Sequence, residues 1–187
     1  MGKHIYDNYY QTENLFGDPY PELIEFFSPL PRGPLLHLGC GHGRDAIPLA
    51  EMGFNVTGID ISSVGINQLN SVAESKGLQL KGVVGDIYQF QSFLDFKYVL
   101  LDSMFHFLKK DYEREKNLIQ RIFNSVSVDT IIVFCIQDAK KKISHFDQIV
   151  RSQQFNSRSE INFLYAYKDQ GSKHESLTKF KMITFRK

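Results

Sequence analysis

The segment best suited to chemistry is Gly39-Cys40-Gly41-His42-Gly43, set where an apolar run gives way to a helical pattern. Glycines at such a junction allow a sharp turn, and they let outward-pointing backbone amides approach a ligand closely. A pyrophosphate-binding loop reads Gly-x-Gly-x-x-Gly. Here the third glycine comes one residue early, and Arg44 fills the place of the last glycine in that pattern. Asp60 lies 21 residues beyond Gly39, close to the separation at which a carboxylate reaches the ribose hydroxyls of an adenosine cofactor. Asp86, in Val83-Val84-Gly85-Asp86-Ile87, is placed to accept from an adenine amino group while Ile61 or Ile87 packs on the ring. Both carboxylates also have plain structural uses, Asp60 as a cap for the helix after Ser62 and Asp86 as a turn former.

These residues need a frame, and the pattern supplies one. Short apolar runs alternate with amphipathic stretches from Leu35 onward, the signature of strand-helix units on a mainly parallel sheet. Strands are expected at Pro34 to Leu38, Asn55 to Asp60, Leu80 to Val84, Tyr98 to Asp102 and Thr130 to Gln137. Helices are expected at Asp45 to Met52, Ser63 to Lys76 and Asp111 to Ser125, with Gly53 and Gly77 as left-handed C-terminal caps and Ser62 or Asp111 as N-terminal caps. A polar, helix-compatible stretch runs to about Gln154. Ile161 to Lys168 and Leu177 to Arg186 then form a hairpin about the turn Asp169-Gln170-Gly171-Ser172, adding antiparallel strands to one sheet edge. The expected fold is therefore α/β and Rossmann-like, a mostly parallel seven-stranded sheet with helices on both faces. Residues 1–33 read as a cap or lid segment with a lead-in helix at Pro21 to Phe27, and residues 34–187 as the domain proper.

Together the glycine loop, Asp60 and Asp86 resemble the class I S-adenosylmethionine (SAM) dependent methyltransferases over about residues 20 to 137. The runs Gly41-His42-Gly43-Arg44-Asp45 and Val56-Thr57-Gly58-Ile59-Asp60-Ile61-Ser62 are similar to the tellurite-resistance and thiopurine methyltransferase-like branch, which acts on small molecules. The resemblance implies that Gly39, Gly41 and Gly43 line SAM together with Cys40, that Asp60 holds its ribose, that Asp86 meets its adenine with Ile61 or Ile87 on the ring, and that Leu101 to Ser103, Asp102 included, lie beside its methionine end. S-adenosyl-L-homocysteine would be the product. A sulfonium is already a good leaving group, so such a protein has mainly to align an acceptor atom with the methyl and exclude water.

His106, after the fourth strand in Ser103-Met104-Phe105-His106-Phe107, is the candidate base, because imidazole titrates near neutrality; a histidine between two phenylalanines also has a packing use. Tyr9 is the second catalytic candidate, one of the tyrosines Tyr6, Tyr9, Tyr10 and Tyr20 that either fold over the site or pack on the sheet. The Asn/Asp-Pro-Pro-aromatic motif common in enzymes that methylate nucleobase amines is absent after the fourth strand.

Bulk composition narrows the class further. The chain has 187 residues, 42% hydrophobic and 23% charged, with a formal net charge of +1; that suits one soluble domain without a basic field for nucleic acid. Lys140-Lys141-Lys142 reads as a solvated run. Two cysteines, Cys40 and Cys135, read as packing residues, and with no apolar leader they point to a cytoplasmic protein without a metal site. A small-molecule acceptor is expected, with neither nucleic acid nor membrane as partner, in a monomer or homodimer. The alternatives are a catalytically silent SAM-binding partner subunit, a methyltransferase acting on a macromolecule, and a nicotinamide-dependent oxidoreductase, the last disfavoured by the glycine spacing.

Overall fold

The computed structural model describes residues 17–168 and 175–187. Within them the chain runs α1 (Pro21–Phe27), β1 (Pro34–Leu38), α2 (Ala46–Glu51), β2 (Asn55–Asp60), α3 (Ser63–Ser75), β3 (Leu80–Val84), a single 3₁₀ turn (Ile87–Gln89), β4 (Tyr98–Asp102), α4 (Tyr112–Ser125), β5 (Ile131–Gln137), α5 (Lys140–Val150), β6 (Ser157–Lys168) and β7 (Glu175–Arg186). The strands form one sheet in the order β3-β2-β1-β4-β5-β7-β6. The first five are parallel, β7 is antiparallel to β5, and β6 is antiparallel to β7. This is the seven-stranded, doubly covered Rossmann-like fold expected from the sequence.

Parallel strands covered on both sides lose the alternation of half-exposed ones, and β4 is buried at every position. Leu35, Val56, Leu100, Val133 and Met182 face a core shared with Leu23 and Phe27 of α1, Leu49 of α2 and Leu69 of α3. On the opposite face Leu36, Leu38, Leu101, Phe134 and Ile183 meet Leu118 and Ile122 of α4 and Phe146 of α5. The lead-in helix therefore packs into the same core as the sheet.

Boundaries moved where polar side chains found specific partners. Thr130 lies outside β5, because its hydroxyl donates to the Phe96 carbonyl at 3.1 Å and its amide closes a turn onto Ser127. The hairpin strands begin earlier than their apolar alternation suggested, since Ser159 bonds Thr184 at 2.5 Å and Lys181 bonds Glu160 at 2.8 Å across the pair. Their expected turn at residues 169–172 lies outside the described residues. Gly53 and Gly77 take positive φ, 93° and 61°, and Ser62 caps α3 by accepting from the Gly65 amide at 3.2 Å. Asp111 makes no cap; its carboxylate pairs with Arg114 at 2.8 Å.

The site depends on how β1 hands over to α2. The Gly39 and Cys40 amides both donate to the Ile59 carbonyl, at 2.8 and 3.2 Å, which ties the turn to the end of β2. Cys40 then packs on Gly58 so closely that a Cβ there would lie 2.6 Å from Cys40 Sγ. Gly58→Ala must push the loop off its strand, and we expect a loss of about 1–3 kcal/mol. The check is a lower urea midpoint at unchanged m-value; an unchanged midpoint would mean that the loop does not rest on this strand.

Candidate active site

The C-terminal ends of β1, β2, β3 and β4 enclose a cleft of about 350 Å³, at the edge where open α/β sheets bind ligands. Gly39, Cys40 and Gly41 form its floor, with Ile61, Asp60, Gly85, Asp86 and Ile87 along one side and Asp102, Ser103, Met104 and His106 along the other. Asp60 accepts from the Gly41 amide through Oδ2 at 3.0 Å and from the Ser62 amide through Oδ1 at 2.8 Å. Two bonds from different loops fix the carboxylate at the cleft wall, and the helix cap falls to Ser62 instead. Asp86 combines both of its expected uses: Oδ1 accepts from the Tyr88 amide at 2.9 Å, and the residue lines the cleft. Gly43 is not among the lining residues. It takes φ +98°, and a Cβ there would meet Ile47 at 2.9 Å and Leu69 at 3.2 Å, so this glycine is required by packing of the turn against α2 and α3.

Behind the cleft lies a network that the sequence reading did not anticipate. The Arg44 guanidinium is nearly buried, pairs with Asp45 at 2.8 Å and also with Asp102. Its carbon sits 4.3 Å from the Tyr20 ring centroid and 5.8 Å from that of Tyr165. Tyr20 donates to Ser103 Oγ at 2.6 Å, and Ser103 donates in turn to Asp102 at 3.0 Å. Burial pushes the Tyr20 hydroxyl up to about 12, so it keeps its proton in this chain of bonds. Of the N-terminal tyrosines, Tyr20 both packs, against Phe163, Tyr165 and Phe180, and reaches the site. Tyr6, Tyr9 and Tyr10 lie outside the described residues. The adjacent opposite charges Arg44-Asp45 were the available signal; Tyr165, far along the chain, gave none.

Two further lining groups also escaped notice. His37 of β1 is 2% exposed and neither ring nitrogen has a hydrogen-bond partner; the Asp45 Oδ1 atom is buried and likewise unpartnered. Burial, then the nearby Arg44, lower the His37 pKa to about 3, leaving a neutral imidazole with one donor and one acceptor. Burial raises the Asp45 carboxyl against the opposing pull of Arg44. Buried polar groups without partners cost about 1–3 kcal/mol each, and such groups at a cleft wall suit a ligand that supplies the missing bonds.

The segment after β4 carries strain. Ser103 and Phe107 take φ of 54° and 51°, where non-glycine residues cost about 1–3 kcal/mol. Phe105 and Phe107 are buried in the core, which turns His106 between them outward to the cleft. Partial burial and Lys142 lower the His106 pKa, favouring the neutral ring. Glu115 of α4, 1% exposed, accepts from the His106 amide at 3.1 Å and from the Phe107 amide at 2.7 Å; burial raises its carboxyl, with those two bonds acting the other way.

Comparison with known proteins agrees with this geometry. Residues 35–127 match the family model described as a methyltransferase domain. The chain belongs to the class I, SAM-dependent methyltransferases, with TehB of Haemophilus influenzae among its relatives: 27% identical over 119 residues, 64% of this chain and 40% of that protein. The TehB crystal structure superposes with a TM-score of 0.71 at 18% identity, covering 99% of this chain and 66% of its own. The magnesium protoporphyrin IX methyltransferase of Synechocystis PCC 6803, solved with SAM bound, gives a TM-score of 0.68 at 16% identity over 99% of this chain and 97% of its own. A structure solved in work on the conversion of a disulfide bond into a thioacetal group during echinomycin biosynthesis gives 0.79 at 20% identity, covering all of this chain and 93% of that one. At these identities the structures show the fold. The chain spans about half or less of the length of the curated relatives it matches, 29 to 52%.

The residues present fit the family's cofactor. SAM carries a charged amino-acid end, a ribose diol and an adenine, and the residues lining the cleft include unpartnered His37 and Asp45 atoms, the fixed Asp60 carboxylate and Asp86.

Neutral burial of His37 has a pH signature. Its folded pKa lies below the unfolded value, so the unfolded chain binds the proton first and stability falls as the pH drops through 6.5 toward 3. Between pH 7 and pH 5.5 this group alone should remove about 1.2 kcal/mol. His37→Leu should abolish that share of the slope in denaturant unfolding at the two pH values; an unchanged slope would show that the imidazole is not buried neutral.

Proposed function

We propose that this chain is a SAM-dependent methyltransferase acting on a small-molecule acceptor. The observation that carries the reading is the arrangement, in one cleft of about 350 Å³, of donors and acceptors matched in order to an amino-acid end, a ribose and a base. A cavity of that size falls within the range of small-ligand sites.

In this reading Gly39, Cys40 and Gly41 give the cofactor close backbone contact, Asp60 accepts from its ribose hydroxyls, and Asp86 accepts from its adenine while Ile61 and Ile87 flank the ring. Asp102 and Ser103 stand at the methionine end, with His37 and Asp45 beneath. Bound SAM supplies a methyl on a sulfonium leaving group. The protein's share is to hold the acceptor in line and keep water away. His106 is the group that takes a proton when the acceptor is a hydroxyl or amine; a sulfur or other soft nucleophile needs no base. α1 acts as the lead-in to the domain, and Tyr20 ahead of it bonds Ser103; the cap expected of the segment before residue 17 lies outside the described residues.

Calorimetric titration with SAM, and separately with NAD, tests the cofactor. Wild type should bind SAM and not NAD. Asp60→Ala, which loses charge-assisted bonds of about 1.5–3 kcal/mol, should weaken SAM by about 10- to 100-fold. Preference for NAD, or a SAM affinity indifferent to Asp60, would sink the assignment.

A further inference from the structure

At the edge of the cleft, one almost fully buried carboxylate, Glu115, controls the shape of the acceptor side through the backbone it holds. The segment from Ser103 to Leu108 contributes four residues to the cleft wall, Ser103, Met104, His106 and Leu108, next to Asp102 at the end of β4. It has no regular structure, and it carries positive φ at two non-glycine residues, Ser103 and Phe107. A segment so strained holds one conformation only if its surroundings impose it. At its start the Ser103 amide donates to the Cys135 carbonyl at 2.9 Å. At its far end, the backbone amides of His106 and Phe107 both donate to the Glu115 carboxylate.

We propose that Glu115 is a positioning residue for methyl transfer, its two oxygens clamping consecutive amides so that Ser103, Met104 and His106 keep the geometry the ligands require; this rests on the cleft being the SAM and acceptor site. The chemistry calls for a carboxylate. Each carboxylate oxygen takes one of the two N–H groups, whereas a glutamine in the same pose has one carbonyl oxygen and would turn an NH₂ toward the second donor. The charge is moderated by its neighbours: Arg114 acts on it from its own helix, Asp111 from just ahead of that helix, and Lys142 from α5. His106 and Phe107 contribute their amides to the clamp, so the imidazole is held by its backbone and left free to meet an acceptor.

Glu115→Gln matches the native side chain in size and leaves packing alone, so a merely space-filling role predicts no effect. The clamp predicts that backbone amide exchange at His106 and Phe107 accelerates at least about tenfold in the variant, while amides of β1 and β4 keep their protection. It also predicts that SAM affinity by calorimetry falls by about 10-fold or more. Glu115→Asp keeps the charge but shortens the reach, and should fall between the two; it serves as the reading if the glutamine variant does not fold. Unchanged exchange at both amides would overturn the clamp, and faster exchange with unaltered SAM affinity would reduce Glu115 to a stabilising residue and overturn the positioning role. Failure of the wild type to bind SAM is a separate result that removes the cofactor reading and the positioning role together.

Discussion

A buried guanidinium sets the terms for the rest of this structure. Taking an arginine out of water costs several kcal/mol unless paired charges and hydrogen bonds replace the lost hydration. The Arg44 side chain, 11% exposed, obtains them from four places at once: Asp45 at the mouth of α2, Asp102 at the end of β4, the ring of Tyr20 ahead of α1 and the ring of Tyr165 on β6. No two of these partners belong to the same element. Satisfying one cation therefore fixes the lead-in segment, the central strand and the hairpin relative to the glycine loop that Arg44 follows. Removing one of the two carboxylates would leave a poorly compensated charge, and so the wall of the cleft is coupled to packing far outside it.

How much of this was legible in the sequence depended on range. The glycine loop, Asp60 and Asp86 could be read because their meaning lies in short spacings along consecutive strands, and the parallel strands could be read because burial on both faces makes them continuous apolar runs. Glu115 could not. It sits on an amphipathic helix of ordinary appearance, and its burial follows from a strained loop that no local pattern announces. His37 was hidden by a different cause: one histidine inside Leu35-Leu36-His37-Leu38 reads as a tolerated interruption of a strand, and only the packing of both sheet faces shows that its nitrogens are left without partners. Gly43 shows the converse, since its spacing matches that of its cradle neighbours while its missing side chain makes room for Ile47 and Leu69.

The strained Ser103 and the unpartnered His37 and Asp45 atoms meet at the cleft, and they are tolerated because the rest of the sheet is densely packed. On the α4 and α5 side Phe123, Phe134, Phe146, Phe155 and Phe185 form one continuous aromatic cluster, with ring centroids between 4.8 and 6.3 Å apart. Such pairs add to the stabilisation that burial of their large apolar surfaces already gives. Phe105 and Phe107 extend that cluster to the strained segment itself, Phe105 reaching Phe134 at 6.0 Å. The loop is thus anchored through its apolar side chains on one side and through its amides on the other.

That arrangement suits transfer of a methyl group better than it suits acid-base catalysis. Three ionisable groups at and behind the floor of the cleft are held away from titration near neutrality: His37 neutral, Tyr20 protonated, Arg44 charged. Groups that each keep one protonation state near neutrality offer a constant field and a fixed shape. For a reaction whose leaving group is already activated, the barrier left to lower is mostly that of bringing two atoms into line, and rigid positioning lowers it without proton transfer. His106, exposed at the rim and tied by its amide, keeps an imidazole that can exchange protons with solvent. The fold thereby separates a rigid floor from a more exposed rim.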